Sequence, residues 1–60
     1  DIKLREMEIT DKHEWKNKLI KEIDFQPGFL IALIKRAGSS FVPNGETKLT
    51  AGDVVVFYTI

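Results

Sequence analysis

Residues 29–60 read FLIALIKRAGSSFVPNGETKLTAGDVVVFYTI, and this stretch decides the fold. It opens with an apolar run at 29–34 and closes with a Val-rich run that begins at Val54. Three turn signals divide the sequence between them: Ala37-Gly38, Asn44-Gly45 and Gly52-Asp53. Short apolar runs bounded by Gly, Pro and Asn predict a small, turn-dense β-sheet.

A strand is predicted at Phe29–Lys35, which is apolar at both odd and even positions. Such a strand is expected to be covered on both faces. Strict alternation places Leu30, Ala32 and Ile34 on one face. It places Phe29, Ile31 and Leu33 on the other, and we expect a partner subunit to cover that second face. Phe29, Ile31 and Leu33 are therefore the candidate interface residues.

The turns that follow this strand predict how the chain returns. Ala37-Gly38 predicts a hairpin into a strand at 39–43, where Pro43 lacks an N–H and so marks an end or an edge. Asn44-Gly45 favours a turn with positive φ, and Gly52 supplies the next such turn. Asp53 is expected to fix the Gly52 turn by binding local backbone N–H groups, and the last strand is predicted at 54–60.

The first half of the chain predicts a strand and a helix. Apolar and polar residues alternate loosely over 2–9, which predicts an edge strand. The alternation shifts by one position in the middle, and a bulge near Arg5-Glu6 would account for that shift. Asp11 followed by Glu14 is typical of a capped helix start, and the apolar spacing predicts a helix over 13–23. The order β-α-β-β-β indicates an α+β fold in which one short helix packs on a mostly antiparallel sheet.

Length and composition restrict the functions that this chain can have. Sixty residues make a single domain, 1–60, and it has no Cys to form disulfides. Small domains of this kind often gain stability by self-association. Nine basic and nine acidic residues give a net charge of zero, which argues against nucleic acid as a partner. The apolar run at 29–34 is too short to insert into a membrane. Because the chain starts at Asp1 and stops inside an apolar strand, we expect it to be a piece of a larger protein.

No residue set in the sequence predicts catalysis or a metal site. His13 is the single histidine and has no Cys to join it as a ligand. Ser39-Ser40 lies outside any nucleophile motif and is interpreted as part of the hairpin. Arg36, next to the Asn44-Gly45 turn, is the best candidate for binding an anion. The alternative for Lys35-Arg36 is a strand end that emerges into water. The chain is therefore predicted not to be an enzyme.

The order of these features resembles the C-terminal domain of the regulators of potassium conductance, the RCK-C or TrkA-C domain. The resemblance covers about residues 8–59. It is carried by the following positions: Leu19, Ile23, Leu30-Ile31-Ala32-Leu33-Ile34-Lys35-Arg36, Val42-Pro43, Gly45, Thr47, Leu49, Gly52-Asp53 and Val54-Val55-Val56. No single element is specific to this family, but the whole series in this order and at these spacings is considerably more specific.

The resemblance implies a cytosolic regulatory domain that pairs as a homodimer. Such domains serve bacterial potassium channels, potassium uptake systems, cation/proton antiporters and chloride-channel-type transporters. The implied partners are a second copy and the membrane-embedded part of the same or an associated protein. No Gly-rich dinucleotide fingerprint is present in these residues.

Several members of the family bind cyclic di-AMP at the dimer interface. Leu19-Ile20 corresponds to their aliphatic pair, Ile31 to a later aliphatic residue, and Asp24 or Glu22 lies near their acidic position. Their Arg has no counterpart in 24–28, and Leu30 stands where they have Asn. Because a missing cation removes a charge-assisted bond to phosphate, this counts against cyclic di-AMP. Another nucleotide, a different small ligand or none stays open. The candidate ligand-binding residues are Leu19, Ile20, Leu30, Ile31, Arg36 and Asn44.

Two function classes therefore lead. The first is a ligand-sensing regulator in which a ligand bound across a homodimer favours one orientation of the subunits. The second is a structural dimerisation or protein-interaction domain with no ligand. A small enzyme fails for want of a nucleophile–base pair, metal ligands or paired carboxylates. An oligonucleotide-binding barrel is disfavoured by the neutral charge and by the lack of evenly interleaved aromatic residues.

Overall fold

The structure, a computed structural model, describes residues 3–60, which form one four-stranded antiparallel sheet. The strands are β1 (Lys3–Glu8), β2 (Phe29–Arg36), β3 (Ser39–Phe41) and β4 (Val54–Thr59). Their order across the sheet is β1-β4-β2-β3. The Val-rich strand β4 is therefore internal, between β1 and β2. The predicted four strands and the antiparallel sheet are confirmed.

The predicted helix over 13–23 is wrong. Residues 11–17 form successive turns, and a single 3₁₀ turn follows at Ile20–Glu22, with no α-helix within residues 3–60. Some of the backbone groups that a helix would pair internally are paired instead with the segment 45–49, and others form single turns with the residue three positions earlier. Asn17 N–H donates to the Leu49 carbonyl at 2.7 Å, and Ile20 N–H donates to the Thr47 carbonyl at 2.9 Å. Long-range backbone bonding thus overrides the helical spacing of the apolar residues.

β1 is an edge strand, as predicted for residues 2–9, although Ile2 lies outside the described residues. The predicted bulge near Arg5-Glu6 is wrong, because β1 pairs with β4 without a shift from Lys3 opposite Thr59 to Glu8 opposite Val54. The phase change has another cause. Met7 packs against the core, whereas Leu4 points to the opposite face of the sheet and is 60% exposed.

The bulge lies in β2. Ile31 is opposite Phe57 and Leu33 is opposite Val56, so Ala32 has no partner of its own in β4. An extra residue reverses the alternation beyond it. Phe29, Ile31 and Ile34 consequently face the core, while Leu30 and Leu33 share the other face. The prediction that Phe29, Ile31 and Leu33 share one face is wrong for this reason.

The main hydrophobic cluster lies on one side of the sheet. Ile9, Ile34, Leu49 and Val55 are completely buried, and Phe57 is nearly so. Loop residues cover them, with Trp15, Ile20 and Ile23 packing on this cluster. These three residues therefore reach the core from a loop and a 3₁₀ turn and not from the predicted helix.

The opposite side of the sheet, here called the open face, carries mainly apolar side chains, several of which are exposed, although Val56 is only 6% exposed. Pairing across the strands places these side chains on it: Leu4, Glu6, Glu8, Leu30, Leu33, Lys35, Val54, Val56 and Tyr58. Leu30 is 63% exposed and Tyr58 is 39% exposed. Lys35 and Glu6 form an ion pair across β4, with 3.0 Å between Nζ and Oε2.

Two of the three predicted turns have the expected geometry. The β2–β3 hairpin has a two-residue loop in which Ala37 has φ 50° and Gly38 has φ 81°. Positive φ at both positions is typical of a type I′ turn. Gly52 has φ 93°. The turn at Asn44-Gly45 is present, since Thr47 N–H donates to the Asn44 carbonyl at 3.1 Å, but positive φ is found at neither residue and that part of the prediction is wrong.

Replacing Ala37 by Asn is expected to stabilise the domain, because Asn tolerates left-handed φ better than Ala. We expect the free energy of unfolding to rise by about 0.5 kcal/mol. Urea unfolding followed by the fluorescence of Trp15, the single tryptophan, measures the change.

Gly38→Ala is the matched control. A Cβ at Gly38 would meet no atom within 4 Å, so the substitution adds backbone strain without a clash. It should destabilise the domain by about 1 kcal/mol. Equal urea midpoints for both variants would contradict the type I′ interpretation.

Candidate functional site

A hollow of about 290 Å³ opens at the edge of β2, and we call it the Leu30 hollow. Its walls are Ile20, Phe25, Phe29, Leu30, Ile31, Pro43, Asn44 and Gly45. Four of the residues predicted from the sequence to bind a ligand meet here: Ile20, Leu30, Ile31 and Asn44. The structure therefore brings together residues that lie up to 24 positions apart in the chain.

The hollow forms because β3 is short. β3 pairs only with the last three residues of β2, from Ile34 to Arg36. Pro43 lacks an N–H to continue the ladder, and the chain departs from β2. The first half of β2 is therefore left without a strand on that side, and 43–45 forms the far wall.

Local hydrogen bonds fix the polar rim of the hollow. The Asn44 side-chain oxygen accepts from Glu46 N–H at 2.8 Å, and Asn44 N–H donates to the Thr47 hydroxyl oxygen at 3.0 Å. Lys21 N–H donates to the Gly45 carbonyl at 3.0 Å, which joins the rim to the 3₁₀ turn. The rim is thus held in place by contacts on both sides.

The chemistry of the Leu30 hollow suits an apolar or aromatic group. Six of its eight lining residues are hydrocarbon or aromatic in character, and no Lys or Arg is among them. Lys21, whose N–H donates to the rim at Gly45, has its side chain paired with Glu46 at 2.6 Å. The walls can stack on a planar ring, but they offer no charged donor for a phosphate.

Leu19 and Arg36, the other two predicted ligand residues, lie outside this hollow. Leu19 forms an isolated bridge with Lys48, and its N–H donates to the Glu22 carboxylate at 2.8 Å. Arg36 lies at the end of β2 near the hairpin, in a separate hollow. Arg36, the cation predicted to bind a ligand, is therefore not among the residues that line the Leu30 hollow.

Arg36 is committed to contacts within the chain. Its Nε and Nη2 donate to the two carboxylate oxygens of Asp53 at 2.8 and 2.7 Å, and Nη2 also donates to the Lys48 carbonyl at 2.8 Å. The guanidinium lies 5.1 Å from the centre of the Phe41 ring, a cation–π distance. The anion site predicted at Arg36 stays a prediction, and an anion there would compete with Asp53.

Asp53 has the local role that was predicted and a second role that was missed. Its carboxylate accepts from Thr50 N–H at 2.8 Å and so fixes the Gly52 turn. The pair with Arg36 was not predicted. Only the register between β2 and β4 reveals this pair. Because Lys35 is opposite Val54, the next residue of β2, Arg36, lies near Asp53, the residue that precedes β4.

Asp53 is 1% exposed, and this burial by itself would raise the pKa of its carboxyl. The hydrogen bonds from Arg36 and Thr50, together with the Arg36 charge, outweigh burial, so the pKa of Asp53 is lowered. The hydrogen bond to Asp53 likewise raises the pKa of Arg36. Both groups are therefore held in their charged forms at neutral pH.

The predicted interface residues are divided between the two faces. Phe29 and Ile31 pack against the core and line the Leu30 hollow, whereas Leu33 lies on the open face. Their role in a dimer stays a prediction.

One known family matches nearly the whole chain. The family model described as the TrkA-C domain matches residues 4–59. The chain belongs to the TrkA-C domain family. Membership indicates a regulatory domain of an ion-transport protein, which confirms the resemblance noted in the sequence. No curated protein matches the chain.

The match includes nearly all of the TrkA-C sheet, the Leu30 hollow and the Arg36–Asp53 pair. Within residues 3–60 of this TrkA-C domain, no helix is long and apolar enough to cross a membrane.

Asp53→Asn is expected to lower the free energy of unfolding at pH 7 by about 2 kcal/mol, because it weakens two hydrogen bonds from a charged donor. The pH dependence should change as well. Since the folded-state pKa of Asp53 is lowered, its contribution is complete above the ordinary value near 3.9 and is lost as pH falls through the folded-state pKa. The variant should lose stability less steeply than the parent at acid pH.

Urea unfolding at a series of pH values from neutral to strongly acid measures both effects. Asp24→Asn is the control, because Asp24 is exposed and accepts no hydrogen bond from residues 3–60. If the two variants behaved alike at every pH, the Arg36–Asp53 pair would not stabilise the fold.

Proposed function

We propose that this domain is the cytosolic, ligand-sensing module of a bacterial ion channel or transporter of the potassium, cation/proton or chloride type, and that it acts as a homodimer without catalysing a reaction. Membership of the TrkA-C family supports the regulatory role. The finer proposal rests on one observation. Leu30 belongs both to the open face and to the wall of the Leu30 hollow.

The open face is the surface proposed for the second copy. Contiguous exposed apolar side chains are unusual on a monomer and mark interaction sites. A domain this small has a limited core of its own, so covering Leu4, Leu30 and Tyr58 would add needed stability. In a two-fold dimer the Glu6–Lys35 pair of one copy can meet the same pair of the other with opposite charges adjacent.

A ligand in the Leu30 hollow would lie beside this interface. Because Leu30 is shared, the ligand would touch the border of the second copy and bind one relative orientation of the subunits better than another. That preference shifts the population of the two orientations. The connected membrane-embedded channel or transporter would sense the shift.

A second candidate function is a structural dimerisation domain with no small-molecule ligand. The specific observation in its favour is the absence of any Lys or Arg among the residues that line the Leu30 hollow. A nucleotide would find no charged donor for its phosphates there. This candidate shares the proposed dimer and differs only in its response to ligands.

Leu30→Lys is expected to weaken the dimer by at least about tenfold, because it places a charge in an apolar contact. Sedimentation equilibrium of the parent and the variant measures the dissociation constant. Leu30→Met is the matched control, since it keeps the apolar contact and should leave the constant within about twofold. Leu30 is exposed in the single chain, so both variants are expected to fold. A parent that stays monomeric at high micromolar concentration would contradict the proposal.

The melting temperature with cyclic di-AMP, ATP or NADH distinguishes the two candidate functions. A dimer whose melting temperature rises with one of them supports ligand sensing, by an amount that depends on ligand concentration relative to the dissociation constant. Asn44→Ala at the rim should reduce that rise. A dimer that none of the three affects supports the structural role.

A further inference from the structure

A compact aromatic cluster lies beside the Leu30 hollow on the core side of the sheet. Trp15 meets Phe25 edge-to-face at 5.1 Å and Phe29 edge-to-face at 5.8 Å between ring centres. Phe25 and Phe29 are stacked at 5.0 Å with nearly parallel planes. Phe29 stacks in turn on Phe57, which belongs to the core. The rings are therefore held by one another and by the sheet.

Three members of this cluster, Trp15, Phe25 and Phe29, also line a further hollow, here called the Trp15 hollow. It measures about 250 Å³ and is lined by Glu14, Trp15, Asp24, Phe25, Gln26 and Phe29. Two acidic residues thus line the hollow together with three aromatic residues, and neither Lys nor Arg is among the lining residues. The Gln26 carbonyl accepts from Phe29 N–H at 3.2 Å, which fixes this side of the hollow.

The two carboxylates are unusual among the acidic residues between 3 and 60. Four of the others are paired with a cation at 3.0 Å or less: Glu6, Asp11, Glu46 and Asp53. Glu22 accepts a backbone N–H. Glu14 and Asp24 have neither kind of partner within the described residues, and only Glu8 on β1 resembles them.

We propose that the Trp15 hollow binds an alkylated ammonium group, such as the quaternary ammonium of choline. In such a cation, apolar methyl groups surround the positive charge. Its methyl groups pack on the rings of Trp15 and Phe25, because the faces of Phe29 are occupied by its stacks with Phe25 and Phe57. The quadrupole of the rings attracts the charge, and Glu14 and Asp24 complete the charge balance. A bare metal ion fits less well, because residues 3–60 contain no group of three or more acidic, His or Cys side chains that could hold one.

This binding site goes beyond the proposed regulatory role. It needs neither the open face nor a second copy of the chain, and its carboxylates do not line the Leu30 hollow. Loss of the dimer would therefore leave it intact, and loss of cation binding would leave the dimer intact.

Titration of the protein with choline, followed by Trp15 fluorescence, tests the proposal because Trp15 is the single tryptophan. The neutral isostere 3,3-dimethyl-1-butanol has the same shape without the charge, and KCl at equal concentration controls for ionic strength. We expect a saturable change with choline and at least about tenfold weaker binding of the isostere. Vesicles of phosphatidylcholine form a second arm. A response to choline alone identifies a soluble cation, and a response to both includes a lipid headgroup as a source.

The double variant Glu14→Gln/Asp24→Asn is expected to weaken choline binding by about tenfold. Both residues are exposed, so the fold should be unchanged by far-ultraviolet circular dichroism. Glu8→Gln removes a carboxylate on β1 that also has no cation partner among the described residues, and it should bind choline as the parent does. The proposal is overturned if the isostere binds as well as choline, if KCl reproduces the response, or if the double variant binds choline as well as Glu8→Gln does.

Discussion

Backbone hydrogen bonds between residues 17–21 and 45–49 are the interaction on which the rest of the structure depends. They hold two loops without regular structure over the core face of the sheet, where Ile20 and Leu49 enter the core. They also form the rim of the Leu30 hollow. Arg36 adds to the same region by donating to the Lys48 carbonyl. Residues 3–60 contain no α-helix, and the sheet is covered instead by two loops that are hydrogen-bonded to each other.

The sequence predicted most of the sheet because strand and turn signals are local. The Ala37-Gly38 hairpin, the edge strand β1 and the Gly52 turn depend on nearby residues, and each was predicted. A helix was predicted wrongly over 13–23, because the hydrogen-bond partners that determine the backbone there lie about 30 residues away in the sequence. Of the site, Ile20, Leu30, Ile31 and Asn44 were predicted and meet in one hollow, whereas the Arg36–Asp53 pair needed the register between β2 and β4.

One unpaired residue decides which side chains are available to a partner. Without the bulge at Ala32, Ile34 would lie with Leu30, and Leu33 would lie with Ile31 in the core. The bulge exchanges them, so the completely buried side chain is Ile34 and the one on the open face is Leu33. Sequence alternation cannot reveal this in a run that is apolar throughout. A small side chain at the extra position is compatible with the local crowding that a bulge creates.

The stacked rings of Phe25 and Phe29 line both the Leu30 hollow and the Trp15 hollow. A molecule in either hollow would therefore touch the same two rings. If the contents of one hollow changed the affinity of the other by some factor, thermodynamic linkage would require the same factor in return. Any such communication would pass through these two phenylalanine rings before it reached the rest of the domain.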